Sequence, residues 1–177
     1  MTTPSTAPAL PAQRTSGAYR IGMVCLGNIC RSPVADVVMS TKVQQAGLAG
    51  LVEVASCGTA DWHVGKEMDA RSAATLTGAG YDATRHRAQQ FGPAWLDEYD
   101  LLLAMDRSNL ADVGGRTDHV RLFRDFDPVD PGSEVPDPYY GGEQGFEEVL
   151  EMVERTCDSL VDLLRSRAGL DGDAARP

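Results

Sequence analysis

The sequence predicts an α/β fold: a doubly wound, four-stranded parallel sheet with helices on both faces. Three observations carry that prediction. Short apolar runs alternate with longer stretches of helical periodicity, and the first run ends in a Gly-Asn loop that opens a helix. The whole chain, 177 residues, is one domain's worth and long enough to bury a core.

Taken in order, residues 1–18 are rich in Thr, Ala, Pro and Ser and lack a signal-peptide core, so they are expected to be a disordered leader. The folded domain is expected over residues 19–168, with 169–177 as a flexible tail. Ile21-Gly22-Met23-Val24 reads as the first buried strand. From Ser32 to Gln45 valines and alanines recur at helical spacing, and Gly47 suits the C-terminal cap. Leu51-Val52-Glu53-Val54-Ala55 reads as the second strand, and the right-handed crossover of a strand-helix-strand unit makes the pair parallel. Residues 69–79 form an alanine-rich helical stretch closed by Gly80. Residues 100–105 are the clearest buried strand, with a short helix from Asp106. Residues 119–123 supply the fourth strand. The spacing of Phe146, Val149, Leu150, Met152, Val153, Leu160, Val161, Leu163 and Leu164 describes one long amphipathic helix.

The loop between the first strand and first helix carries the chemistry. Pro33 at the helix start sacrifices no hydrogen bond, and the free N–H groups there, with the positive end of the helix dipole, favour an anion. Gly27 and Asn28 tolerate the left-handed backbone that lets successive N–H groups converge. Cys25 opens the loop and Arg31 closes it after five intervening residues. The donors that would bind phosphate also favour a thiolate, the nucleophilic form of cysteine. The Arg31 fork can hold two phosphate oxygens, a geometry lysine lacks. Leu26, Gly27, Asn28, Ile29, Cys30 and Ser32 complete this phosphate-binding loop, which follows the first strand at the carboxyl end of the sheet, where open α/β sheets bind ligands.

Composition narrows the alternatives. A formal net charge of −10 argues against nucleic-acid and anionic-membrane partners. No stretch approaches the roughly eighteen apolar residues of a membrane span. Cys25, Cys30, Cys57 and Cys157 have no paired zinc-type spacing, and a chain of this size does not read as a disulfide scaffold, so reduced cytoplasmic thiols are expected.

The loop Cys25-Leu26-Gly27-Asn28-Ile29-Cys30-Arg31-Ser32-Pro33, with Ser56-Cys57-Gly58-Thr59, Trp62-His63-Val64-Gly65 and Asp137-Pro138-Tyr139-Tyr140-Gly141, resembles the low-molecular-weight protein tyrosine phosphatase family. The resemblance spans about residues 19 to 168. It departs from the pattern at Cys57, where alanine is expected, and at Asp36, where glutamate is expected. Neither change removes a catalytic part.

A phosphate ester needs a proton on its leaving oxygen, and an aspartic acid over the cleft can supply it. Asp127-Pro128, Asp130-Pro131 and Asp137-Pro138 are all candidates on the residues alone; the resemblance selects Asp137, leaving Asp127 as structural and Asp130 as exposed. It implies that Trp62, Tyr139 and Tyr140 wall a slot for an aromatic ester, with His63 a rim residue. It implies that His86, otherwise readable as a surface residue between the solvated Arg85 and Arg87, supports the loop through Asn28 and Ser32. Ser32 would steady Cys25, and Cys30 would cap an oxidised Cys25 as a reversible disulfide.

The implied activity is hydrolysis of phosphotyrosine esters through a phosphocysteine intermediate, with Cys25 as nucleophile, Arg31 as clamp and Asp137 as general acid and base. Expected partners are phosphotyrosine-containing proteins, with inorganic phosphate or another oxyanion in the loop, on a monomer that needs no metal or cofactor. Two rivals are a thiol-dependent arsenate reductase and a catalytically dead phosphotyrosine-binding module. The first is disfavoured because residues 58–156 contain no cysteine. The second would be expected to lack Cys25 or Asp137.

Overall fold

The computed structural model of the chain describes residues 8–169. In order it comprises β1 (Tyr19–Cys25), α1 (Arg31–Gln45), β2 (Val52–Gly58), α2 (Ala70–Gly78), α3 (Trp95–Glu98), β3 (Leu101–Ala104), α4 (Arg107–Asp112), β4 (Val120–Leu122), a 3-10 turn over Phe123–Phe126, and α5 (Glu143–Arg167). The sheet order is β2-β1-β3-β4, and every neighbouring pair is parallel.

Alternation along the strands divides the core in two. Tyr19, Ile21, Met23, Leu101 and Leu103 point to the face covered by α1 and α5, where Val38, Met39, Val153 and Leu160 meet them. Val24, Cys57 and Leu102 point to the other face, under Tyr99, Trp95 and Val113. Helices on both faces explain why β3 reads as an unbroken apolar run. Gly22 has a packing reason: a β-carbon there would lie 2.6 Å from Leu102 Cδ2 and 3.1 Å from the Trp95 ring.

The expected four-stranded parallel fold is present, with shifted boundaries. β2 runs on to Gly58, three residues beyond the apolar run that marks it in sequence, while Phe123 leaves β4 and enters the 3-10 turn. α3 has no counterpart in the sequence reading, because four residues are too few to establish a period.

The expectation of a disordered leader is corrected for residues 8–18; residues 1–7, and 170–177 of the tail, lie outside the described residues. Residues 8–18 run across the amino end of the sheet. The buried Asp100 carboxylate accepts from Arg14 N–H (2.8 Å), Thr15 N–H (3.0 Å), Thr15 Oγ1 (2.7 Å) and Arg20 N–H (2.9 Å). Tyr19 Oη donates to Pro11 O, and Leu10 packs on the larger core. A low-complexity composition misses this because the stabilising partner, Asp100, lies on the far side of the chain. No helix among the described residues is long and apolar enough to cross a membrane.

Candidate active site

β1 ends at Cys25, and the chain turns beneath the N-terminus of α1. Asn28 makes that turn, at φ 56°, the only non-glycine residue with positive φ among those described. It is fully buried and bonded in every direction. Its N–H donates to Cys25 Sγ (3.3 Å), and its Nδ2 donates to Ser32 Oγ (2.8 Å) and Ser56 Oγ (3.0 Å). Its Oδ1 accepts from Gln89 N–H (3.0 Å), and its carbonyl accepts from His86 Nε2 (2.7 Å). Burial holds the His86 pKa below its ordinary value, which favours the neutral ring with Nε2–H as donor.

Ser32 Oγ lies 2.9 Å from Cys25 Sγ, so Cys25 is approached by a hydroxyl and a backbone N–H at once. The end of β2 presses on the back of the loop. Thr59 N–H and Ala60 N–H donate to the Cys25 and Leu26 carbonyls, and a β-carbon at Gly58 would stand 2.7 Å from Leu26 O and 3.0 Å from Asn28 N. Only glycine allows that approach.

Arg31 is 3% exposed. Its Nη1 donates to Asp106 Oδ2 (2.6 Å) and Val135 O (3.1 Å), and its Nη2 lies 3.6 Å from Asp137 Oδ2. Burial disfavours the Arg31 charge, but Cys25 and Asp106 outweigh it and the pKa is raised. Asp106 itself is fixed as the cap of α4, accepting from Asn109 N–H at 2.8 Å.

Cys25, Leu26, Gly27, Ile29, Cys30, Arg31, Trp62, His63, Asp137, Tyr139 and Tyr140 line one cleft of about 170 Å³. Trp62 is 65% and Tyr140 92% exposed at its mouth. His63 stands against the loop, with its ring 3.1 Å from where a Gly27 β-carbon would be. Of the three Asp-Pro pairs, only Asp137 lines the cleft. Asp127 is buried between Arg124 (2.9 Å) and Arg155 (2.9 and 3.0 Å). Its burial pushes the pKa up, but bonds from Arg155, Val129 N–H and Arg124 bring it down to about 2. Asp130 is exposed and 3.5 Å from Arg124. Burial and Asp69 push the Cys30 thiol up to about 12; all four cysteines are free.

A model of the family described as low molecular weight phosphotyrosine protein phosphatase matches residues 20–169. The chain belongs to the low-molecular-weight protein tyrosine phosphatase family. It is 44% identical over 165 residues to such a phosphatase from Streptomyces coelicolor, covering 89% of this chain and 99% of the relative. Among solved structures it is similar to a protein tyrosine phosphatase from Entamoeba histolytica with Hepes in its active site, at TM-score 0.78 and 30% identity, covering 86% of this chain and 99% of that one. It is also similar to YfkJ from Bacillus subtilis, at TM-score 0.79 and 29% identity, over 88% and 99%. The phosphatase is thus a hydrolase of the phosphotyrosine class.

Sequence reasoning passed over Asp106, Ser56 and Gln89 in this phosphatase. Asp106 had a usable signal: it directly follows an apolar strand and begins a helix, which puts it at the carboxyl edge of the sheet beside the loop. Ser56 was legible only as a member of the Ser56-Cys57-Gly58-Thr59 motif, with no role attached, and Gln89 had no signal.

Proposed function

We propose that this phosphatase cleaves phosphotyrosine esters by way of a phosphocysteine on Cys25. The observation that carries the reading is the convergence of Cys25, Arg31 and Asp137 on one cleft, with the Asn28 N–H and Ser32 hydroxyl both on Cys25 Sγ. The Cys25 thiolate attacks phosphorus in line. Arg31 and the loop N–H groups bind the equatorial oxygens, whose charge they offset in the transition state. Asp137, protonated, delivers its proton to the departing phenolate. The carboxylate so formed then takes a proton from water, which attacks phosphorus; the S–P bond breaks, and thiolate and inorganic phosphate result.

Ser32 stabilises the thiolate as nucleophile and as leaving group. His86 holds Asn28 O, and Asn28 in turn holds Ser32, so these residues orient the nucleophile without touching substrate.

Substrate class follows from depth and walls. Cys25 is 3% exposed at the base, and Trp62, Tyr139 and Tyr140 form an apolar mouth. A phosphate on a phenyl ring reaches the base while the ring stays between aromatic walls; a phosphoserine is too short to do both. The cleft is completed by one chain, which supports action as a monomer, and a catalytic thiol suits the reducing cytoplasm.

The test is phosphate release from matched phosphotyrosine and phosphoserine peptides, with wild type and Cys25→Ser. Turnover of the phosphotyrosine peptide alone, lost in the variant, is expected. Equal turnover of both peptides, or turnover retained by Cys25→Ser, contradicts the reading.

A further inference from the structure

We propose that Arg71 is the positioning residue of the acid step: it ties the segment bearing Asp137 to the helix that docks on the phosphate loop, and so sets where the Asp137 carboxyl stands. The proposal rests on the Cys25 and Asp137 roles given above.

The connection runs through one side chain. Asp69 N–H donates to Ile29 O at 2.8 Å, which registers the start of α2 on the loop. The Asp69 carboxylate caps α2 through Arg71 N–H (2.8 Å) and accepts from Arg71 Nε (3.2 Å) and Nη2 (3.1 Å). The far side of the same guanidinium donates from Nη2 to Tyr139 O (2.9 Å) and from Nη1 to Gly141 O (3.5 Å). Its Cζ lies 4.6 Å from the centre of the Phe146 ring and 5.5 Å from that of Tyr139.

Other restraints act on this segment beside Arg71. Val135, before Asp137, is held by Met105 O and Arg31. Pro138 is buried against Gly145 of α5. The Asp137 carboxylate accepts from Tyr139 N–H at 3.0 Å and stands 3.6 Å from Arg31 Nη2, which pairs with its charge without holding the backbone that carries it. Among the described residues, Arg71 supplies the hydrogen bonds that join the backbone after Asp137 to the loop side of the cleft.

The Asp69–Arg71 pair is too exposed to matter much for stability, with the Arg71 side chain 40% accessible. Its effect is on register. A general acid must stand within hydrogen-bond reach of the leaving oxygen, and small displacements are costly. Arginine suits the task because its planar fork serves a carboxylate on one side and carbonyls on the other; the lysine ammonium has no such plane.

The test compares leaving groups in wild type, Arg71→Ala and Arg71→Lys. Phenolate needs the proton from Asp137; 2,4-dinitrophenolate leaves without it. For phenyl phosphate, kcat/KM is expected to fall about tenfold or more in Arg71→Ala, and about threefold in Arg71→Lys. For 2,4-dinitrophenyl phosphate it is expected to stay within about twofold in both, because its departure does not depend on the acid. In an Asp137→Asn background, Arg71→Ala is expected to add no further loss. Vanadate affinity, which reads the loop alone, is expected to be unchanged. Equal losses on both esters, or no loss on either, overturn the proposal while leaving the Cys25 chemistry standing. A wild type that hydrolyses neither ester overturns both. If Arg71→Ala does not fold, Arg71→Lys carries the same comparison.

Discussion

Around Cys25, Asn28 and Ser32 the loop is buried and every polar group of Asn28 has a partner, whereas across the cleft Asp137, Tyr139 and Tyr140 are exposed and Asp137 has one local hydrogen bond and a 3.6 Å pairing with Arg31. Binding a phosphate group demands N–H vectors that converge before it arrives, and that order is maintained by β2, His86 and Gln89 from behind. Delivering a proton demands reach over an opening that substrate must enter. On the proposed roles, the contrast predicts that loss of grip and loss of acid catalysis are separable by mutation.

The largest expected effect comes from the proposed nucleophile. Cys25→Ser is expected to lower turnover by about 10⁴-fold or more while vanadate-competing phosphate binding persists, as read by steady-state kinetics and calorimetry. Next, Asp137→Asn is expected to cut kcat/KM for phenyl phosphate by about 10²- to 10³-fold, with oxyanion affinity kept and thermal stability within about 0.5 kcal/mol of wild type. Gly58→Ala breaks the opposite side of the comparison: its β-carbon would meet Leu26 O at 2.7 Å. A stability loss of about 2 kcal/mol is expected by denaturant melt, together with weakened vanadate binding. A variant with unaltered vanadate affinity would mean that the loop is not braced by β2.

The smallest expected effect concerns Asp36, behind the loop. Burial raises its pKa to about 6, against hydrogen bonds from Ser40 and Ser56. A carboxyl whose folded pKa lies above its unfolded value favours folding when protonated, so this contribution is lost as pH rises from about 4 through about 6. Asp36→Asn is therefore expected to match wild type at pH 4 and to be more stable by about 1 kcal/mol at pH 7.5, a figure reduced for the group's partial exposure. Equal stability at both pH values would remove Asp36 from the account.

Much of this was legible in the sequence, for definite reasons. Short apolar runs located the strands and a period of 3.6 the long helices, and Gly27-Asn28 followed by Ser32-Pro33 marked the loop. Asp137 was separable from Asp127 and Asp130 only by resemblance, since all three precede proline; in the fold, Asp127 is consumed by Arg124 and Arg155, and Asp137 reaches the cleft. Asp106 and Arg71 act across separations of 75 and 68 residues, and no local pattern carries such contacts. Residues 8–18 were misread for the same reason, their ties being to Asp100.

The most direct test of the covalent mechanism is rapid-quench turnover of an aryl phosphate by the wild-type phosphatase. A burst of phenol approaching one equivalent per enzyme, ahead of slower phosphate release and absent in Cys25→Ser, is the expected result. Phenol and phosphate appearing together, with no burst under any condition where hydrolysis of the intermediate limits turnover, would contradict a phosphocysteine on Cys25.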